Sequence, residues 1–216
     1  MRYLLLITLG LIGIFIKISG QDSGYFSFDE YSISFNRSTL HNDNTENRNG
    51  FGFGANHLFR SDKKINLVFG LEFNRTSQFM KSMYEGHFAN STDLTYSMNC
   101  FSVPLRWRLN IGSKSNVYIE TGVFADMVIN SKKKGTMHIY DYSENSPIFH
   151  TETQYNERAD LSSSFGLHGG FGIRVPFSSF ECFINPDYKF GINKIYSYHD
   201  DIFNRYFRVN IGLKFK

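Results

Sequence analysis

The sequence predicts an all-β chain closing as an eight-stranded antiparallel up-and-down transmembrane β-barrel. Three observations carry the prediction. Apolar and polar residues alternate in run after run, the period of a strand and not of a helix. Short and long connections between the runs alternate in turn. The polar rows hold half of the 18 glycines together with charges of both signs.

The chain of 216 residues opens with MRYLLLITLGLIGIFIKISG, an early Arg2, an apolar run and small residues at Ser19 and Gly20. That is the layout of a secretory leader, expected to be cleaved after residue 20, so that residues 21–216 form the mature domain. The apolar run is short for a membrane-spanning helix of roughly 20 residues, and Lys17 interrupts its end. Losing Arg2 and Lys17 brings the formal charge of +3 close to neutral, which gives no footprint for nucleic acid. Mean hydropathy is slightly negative, but alternation hides a lipid-facing row from any average.

The strands follow in order. Tyr31, Ile33 and Phe35 form a first, weak run. Phe51, Phe53, Ala55 and Phe59 form the second, with His57 out of keeping. The third has Ile65, Leu67, Phe69, Leu71 and Phe73 against Asn66, Gly70, Glu72 and Asn74. The fourth, FSVPLRWRLNIG, sets Phe101, Val103, Leu105, Trp107, Leu109 and Ile111 against Arg106 and Arg108. The fifth runs from Val117 to Ile129 with Glu120 and Asp126 on its polar face. The sixth carries Leu161, Phe165, Leu167, Phe171, Ile173 and Val175 against Ser164, His168 and Arg174. The seventh, Phe180 to Ile192, has Asp187 and Lys189 on its polar row. The eighth carries Phe207, Val209, Ile211, Leu213 and Phe215 against Arg208.

The links Ser61–Lys64, Gly112–Ser115 and Pro176–Ser179 read as tight turns. Leu40–Asn49, Met80–Asp93, Asn130–Asp160 and Tyr196–Asn204 read as long loops. With the N-terminus in the periplasm, every short link falls there and every long one outside, the parity of a small outer-membrane barrel. The apolar rows then meet lipid through Phe69, Leu71, Leu105, Trp107, Leu109, Phe171, Ile211 and Phe215.

An eight-stranded barrel has room inside only for side chains. Glu72, Glu120, Asp126 and Asp187 share its interior with Arg106, Arg108, Arg174, Lys189 and Arg208. Charges away from water must be paired, so the reading is a plugged interior of ion pairs and not an open pore. Pro104 and Pro186 fall inside strands, where a bulge or a weakened ladder near the rim is expected.

Other chemistries find less support. Ser164, His168 and Glu120 could be assembled into a lipid-modifying hydrolase or acyltransferase, but no nucleophile motif accompanies them. The seven His do not cluster at metal-ligand spacing, and no cofactor is implied; His138 and His150 read as exposed on a loop. Cys100 and Cys182 lie on opposite rows of distant strands and read as buried free thiols. Lys132, Lys133 and Lys134 read as a solvated charge run, with lipopolysaccharide phosphates as the functional alternative. The loop 131–159 alternates weakly and could extend its strands as a hairpin whose edge takes a protein partner by strand addition. A secreted lipocalin-like barrel around a small apolar ligand is the alternative from another class, but it needs an apolar interior. A monomer in contact with outer-membrane lipid is the expectation.

Three segments also resemble a known family. FSVPLRWRLNIGSKSNVYIETGVFADMVI is similar to the strand–turn–strand of the small outer-membrane β-barrel proteins of the Bacteroidota, the PorT-like group. FINPDYKFGINKIY and YFRVNIGLKFK resemble its last two strands. The architecture resembles OmpX- and OmpA-type barrels. The reading is an integral, non-enzymatic outer-membrane protein for envelope structure or surface interaction, and the resemblance alone implies assistance to a secretion apparatus as a further option.

Overall fold

The computed structural model describes residues 27–39, 45–59, 63–86, 89–112, 116–143, 146–196 and 202–215. The expected leader lies outside them. Among the described residues there are ten strands: β1 (Glu30–Ser38), β2 (Thr45–Asn47), β3 (Asn49–Phe59), β4 (Ile65–Gly86), β5 (Ala89–Ile111), β6 (Val117–Ser143), β7 (Ser146–Arg158), β8 (Ser164–Pro176), β9 (Phe180–Tyr196) and β10 (Ile202–Phe215). Eight of them close a ring, β1–β3–β4–β5–β6–β8–β9–β10 and back to β1, with every pair antiparallel. β2 flanks the far end of β4, and β7 folds back along the far end of β6.

Two of the expected loops are strand instead, the second as the hairpin that the weak alternation of residues 131–159 allowed. Met80–Asp93 is not a loop: β4 and β5 continue as a hairpin through Ser82↔Thr92 and Met83↔Ser91. Asn130–Asp160 is mostly strand, formed by the end of β6 and the returning β7. His138 therefore sits half-buried on β6, hydrogen-bonded to Thr92 at 2.8 Å, and His150 lies on β7.

Lipid and water explain the lengths. A strand crosses a bilayer in about 9–11 residues, whereas β4, β5 and β6 have 22, 23 and 27. The continuous outward apolar row of β4 ends at Phe73; beyond it Arg75, Ser77, Phe79 and Lys81 face out, with Phe79 covered by the Arg48 guanidinium. On β5 the row ends at Phe101 and gives way to Asn99, Ser97 and Thr95. Inside, the change is opposite. Met80, Leu94, Tyr96, Met98, Ala159, Leu161, Ile195 and Ile202 form a buried apolar cluster at this end. Where the wall meets lipid, the apolar residues face out; where it stands clear of lipid, the cluster turns in and the outer row becomes mostly polar, with Phe79, Ile139 and Phe203 as exceptions.

A register shift opposite Asn99 leaves Ile129 as an extra residue on β6. Parity changes there, so Ser131 and Lys133 point in while Lys132 and Lys134 point out. The lysine run is thus not uniformly solvated: Lys133 is buried.

At the prolines the ladder is weakened, as one of the two expected alternatives has it, but there is no bulge and the sites are not at the rim. The β4–β5 ladder lacks its pairs opposite Pro104 and Val103, and β8–β9 lacks those opposite Pro186 and Asn185. Register is the same on both sides of each gap, so neither proline sits in a bulge, and both lie well inside their strands. Asn185 donates its side-chain amide to the Phe171 carbonyl at 3.1 Å, which satisfies an acceptor beside the proline that has no N–H.

Candidate functional site: the charged interior

β1 places Glu30, Ser32, Ser34 and Asn36 inside, because Tyr31, Ile33 and Phe35 face out. The same alternation turns Glu72 on β4, Arg106 and Arg108 on β5, Glu120 and Asp126 on β6, His168 and Arg174 on β8, Asp187 and Lys189 on β9, and Arg208 on β10 into the barrel, all buried. Phe69, Leu71, Leu105, Trp107, Leu109, Phe171, Ile211 and Phe215 stand on the outer face. Trp107 is 54% exposed and Phe215 53%.

The charges form two linked groups. Nearer the tight turns, Arg108 takes Glu120, its direct partner across β5–β6, through Nε. Its other two nitrogens donate to both carboxylate oxygens of Glu30 on β1, Nη2 at 2.8 Å from Oε2. This is the fork geometry that an arginine, and not a lysine, can supply. Arg174 lies 3.9 Å from Glu30. The Tyr118 ring is held between two guanidiniums, Arg108 at 4.3 Å and Arg174 at 4.5 Å from its centroid.

Deeper in, Glu72 is the hub. Arg208 donates to it through Nη1 at 2.6 Å and Nη2 at 3.1 Å, and Lys189 through Nζ at 3.0 Å. Arg208 also donates Nε to Asp187, its cross-strand neighbour, at 2.9 Å. Lys189 reaches Ser102 at 2.6 Å and Asp126 at 3.5 Å, and Asn204 and Tyr206 donate to the other oxygen of Asp126. Arg106 joins the two groups, 3.7 Å from Glu72 and 3.6 Å from Glu120. Among the described residues every interior carboxylate has a cationic partner, as charges removed from water require.

Glycines make the room. A Cβ at Gly122 would lie 2.1 Å from the Leu105 carbonyl oxygen, and one at Gly172 would lie 2.1 Å from Tyr118 Cζ. Two interior cavities, one beside Glu72 and Arg106 and one beside Gln78 and Tyr96, have volumes of about 10 Å³, space for a single water at most.

Sequence reasoning did not single out Glu30, Tyr118, Asn204 or Tyr206. The signal for Glu30 was the alternation of β1 itself. The interior is also not polar throughout, because the apolar cluster closes its far end.

The elements of a hydrolase are not brought together. Ser164 and His168 are both buried, Ser164 Oγ has no hydrogen-bond partner among the described residues, His168 lies 3.2 Å from Asp187, and Glu120 is committed to Arg108. No group of metal-binding side chains occurs among the described residues. Cys100 is buried and free; Cys182 is free but only half-buried, a departure from the expected pair of buried thiols.

Solved structures similar to the chain include three bacterial proteins. Ail, the attachment invasion locus protein of Yersinia pestis, is 15% identical, with 88% of this chain and 99% of that one covered and a TM-score of 0.38. Neisserial surface protein A is 10% identical, with 87% and 96% covered and a TM-score of 0.42. CarO of Acinetobacter baumannii is 8% identical, with 88% and 98% covered and a TM-score of 0.37. No match is found among curated proteins. The assignment rests on the family model for the outer membrane protein beta-barrel domain, which matches residues 20–197. The chain belongs to that family, as an integral β-barrel protein of the outer membrane.

Proposed function

We propose that this barrel is a sealed, non-enzymatic scaffold that presents the β6–β7 hairpin at the cell surface, where the outer edge of β7 takes up an extended segment of a partner protein. One observation carries the reading. Among the described residues β7 pairs only with β6, so its second edge offers a row of backbone N–H and C=O groups to another chain. The ion pairs that fill the interior, with a cavity of only about 10 Å³ beside Glu72 and Arg106, argue against transport, and the lack of any contact between Ser164 and His168 among the described residues argues against hydrolysis or acyl transfer. Charges inside, and not an apolar pocket, argue against a lipocalin-like carrier.

In this reading residues 1–20 are the cleaved leader, the tight turns lie in the periplasm, and the strands that outrun the lipid stand outside. The protein works as a monomer whose lipid partner is the outer leaflet, lipopolysaccharide included. The resemblance to PorT-like proteins of the Bacteroidota makes assistance to a secretion apparatus one process such a surface would serve.

The test is photo-crosslinking in living cells from a reactive residue at Thr153 or Gln154. Successive backbone N–H groups of a strand point to opposite sides. Of Thr151→Pro and Glu152→Pro, one therefore removes a donor from the free edge and the other from the β6 ladder. A defined protein adduct, lost on the edge substitution while the barrel still folds, is the expected result. The absence of any protein adduct at both positions would sink strand addition.

A further inference from the structure

The outward apolar rows end in a consistent way on the side of the long strands. Phe35 is followed on the same face by Arg37, Phe73 by Arg75, Ile192 by Lys194 and Phe207 by Arg205. On β6, Ile129 gives way to Asn130 and Lys132; on β3 and β5 the position is taken by Asn49 and Asn99, and just before β8 by Ser163. Among the described residues no carboxylate occupies this first position above the apolar band. Near the tight turns there is no such bias, since Asp29 follows Tyr31 and Lys63 precedes Ile65.

Two of these cations are neighbours. Thr39 donates its backbone N–H to Arg205 at 3.1 Å, which sets Arg37, two residues back on β1, diagonally across from Arg205 on the outer face. Long side chains meet across such a diagonal. Arg205 is held in place: its guanidinium stacks 4.0 Å from the Phe190 centroid and 4.3 Å from that of Phe203, and Nε donates to the Gly191 carbonyl at 3.1 Å. Arg37 beside it is exposed. The Tyr188 and Thr39 hydroxyls, 2.8 Å apart, lie at the same place. No ion pair to a carboxylate is formed by either arginine among the described residues.

We propose that Arg37 and Arg205 form a phosphate clamp for a phosphorylated glycolipid of the outer leaflet, with Arg75 and Lys194 continuing the belt around the wall. Guanidinium forks match phosphate oxygens, and stacking fixes one fork in advance. The clamp stands directly above Phe35, Phe207 and Val209, so the ligand has acyl chains below its phosphate, which free phosphate lacks. A zwitterionic phospholipid brings its own cation to the belt and is disfavoured. The inference rests on the outward orientation of the long strands proposed above.

The experiment uses the purified full chain in nanodiscs of phosphatidylcholine doped with bis-phosphorylated lipid A, dephosphorylated lipid A or phosphatidylglycerol. Lipid retained through detergent extraction is quantified by mass spectrometry, and folding is read from the mobility shift on heating. The wild type is expected to retain bis-phosphorylated lipid A several-fold over its share of the disc, and Arg37→Gln and Arg205→Gln to abolish the excess. Lys63→Gln, near the tight turns, leaves it unchanged. Arg37→Gln keeps the test sharp should Arg205→Gln disturb the wall. Equal retention by wild type and Arg37→Gln, or equal retention of the dephosphorylated lipid, overturns the clamp. Equal retention of phosphatidylglycerol overturns the assignment to a glycolipid. A wild type that fails to fold in phosphatidylcholine alone speaks against membrane placement instead, and folding without selectivity speaks against the clamp only.

Discussion

Arg208 on β10 reaches Glu72 on β4, three strands away around the ring, and donates to both oxygens of its carboxylate at 2.6 and 3.1 Å. The pair is a strut across the barrel. Glu72 also neutralises Lys189 and lies 3.7 Å from Arg106, so one carboxylate serves three cations. Removing one partner of a buried pair costs more than the pair contributes, because a charge is left without compensation. Glu72→Ala is therefore expected to destabilise the barrel by about 3–5 kcal/mol. Urea unfolding followed by tryptophan fluorescence from Trp107 measures this, and a loss under about 1 kcal/mol would show that the strut is dispensable.

Gly172 and Gly169 lie three residues apart on β8 and face opposite ways. A Cβ at Gly172 would strike the Tyr118 ring, itself fixed between Arg108 and Arg174, while one at Gly169 meets nothing within 4 Å. Gly172→Ala is expected to cost about 1–3 kcal/mol, the range for overpacking, and Gly169→Ala close to nothing. Equal midpoints for the two variants in the same urea titration would mean that the ring moves aside freely.

Why these details escaped the sequence is a matter of what alternation encodes. Ile65 to Phe73 and Val103 to Ile111 are legible because lipid demands an apolar residue at every second position. Arg106, Glu120 and Arg208 follow as interior residues from parity alone. Which carboxylate each cation meets does not follow, since Arg108 finds Glu30 through closure of the ring and not through spacing. Past Phe73 the rule that made the strands readable reverses: Met80, Leu94 and Met98 turn in and Lys81 and Ser97 turn out. The extra residue at Ile129 shifts parity once more. A strand that inverts its polarity midway reads as a loop beyond the inversion, as the ends of β4 and β5 do, whereas the weak alternation of residues 131–159 left only the possibility of the β6–β7 hairpin.

That reversal places the edge of the lipid band, and substitutions on one strand can locate it. Leu105 faces out within the band on β5, and Thr95 faces out beyond it. An arginine on the lipid face costs about 2–4 kcal/mol near the bilayer midplane and about 0–1 near the interface. Leu105→Arg should fall in the first range and Thr95→Arg in the second. Folding yields into phosphatidylcholine vesicles across a urea series report both, and a heavy penalty at Thr95 would move the band outward along β5.

The apolar cluster at the far end makes a separate claim about what seals the barrel. Leu94 is fully buried among Met80, Tyr96, Met98, Ile195 and Ile202, above the layer held by Asp126, Lys189 and Glu72. Truncating a buried leucine removes its transfer energy and leaves a cavity, so Leu94→Ala should cost about 2–5 kcal/mol. It should not open a conducting path, because the ion-pair layer beneath remains closed. Planar-bilayer recordings are expected to show no discrete current steps for the wild type or for Leu94→Ala. Steps appearing in Leu94→Ala alone would make the apolar cluster, and not the charged layer, the seal. Steps in the wild type would turn the sealed scaffold into a pore.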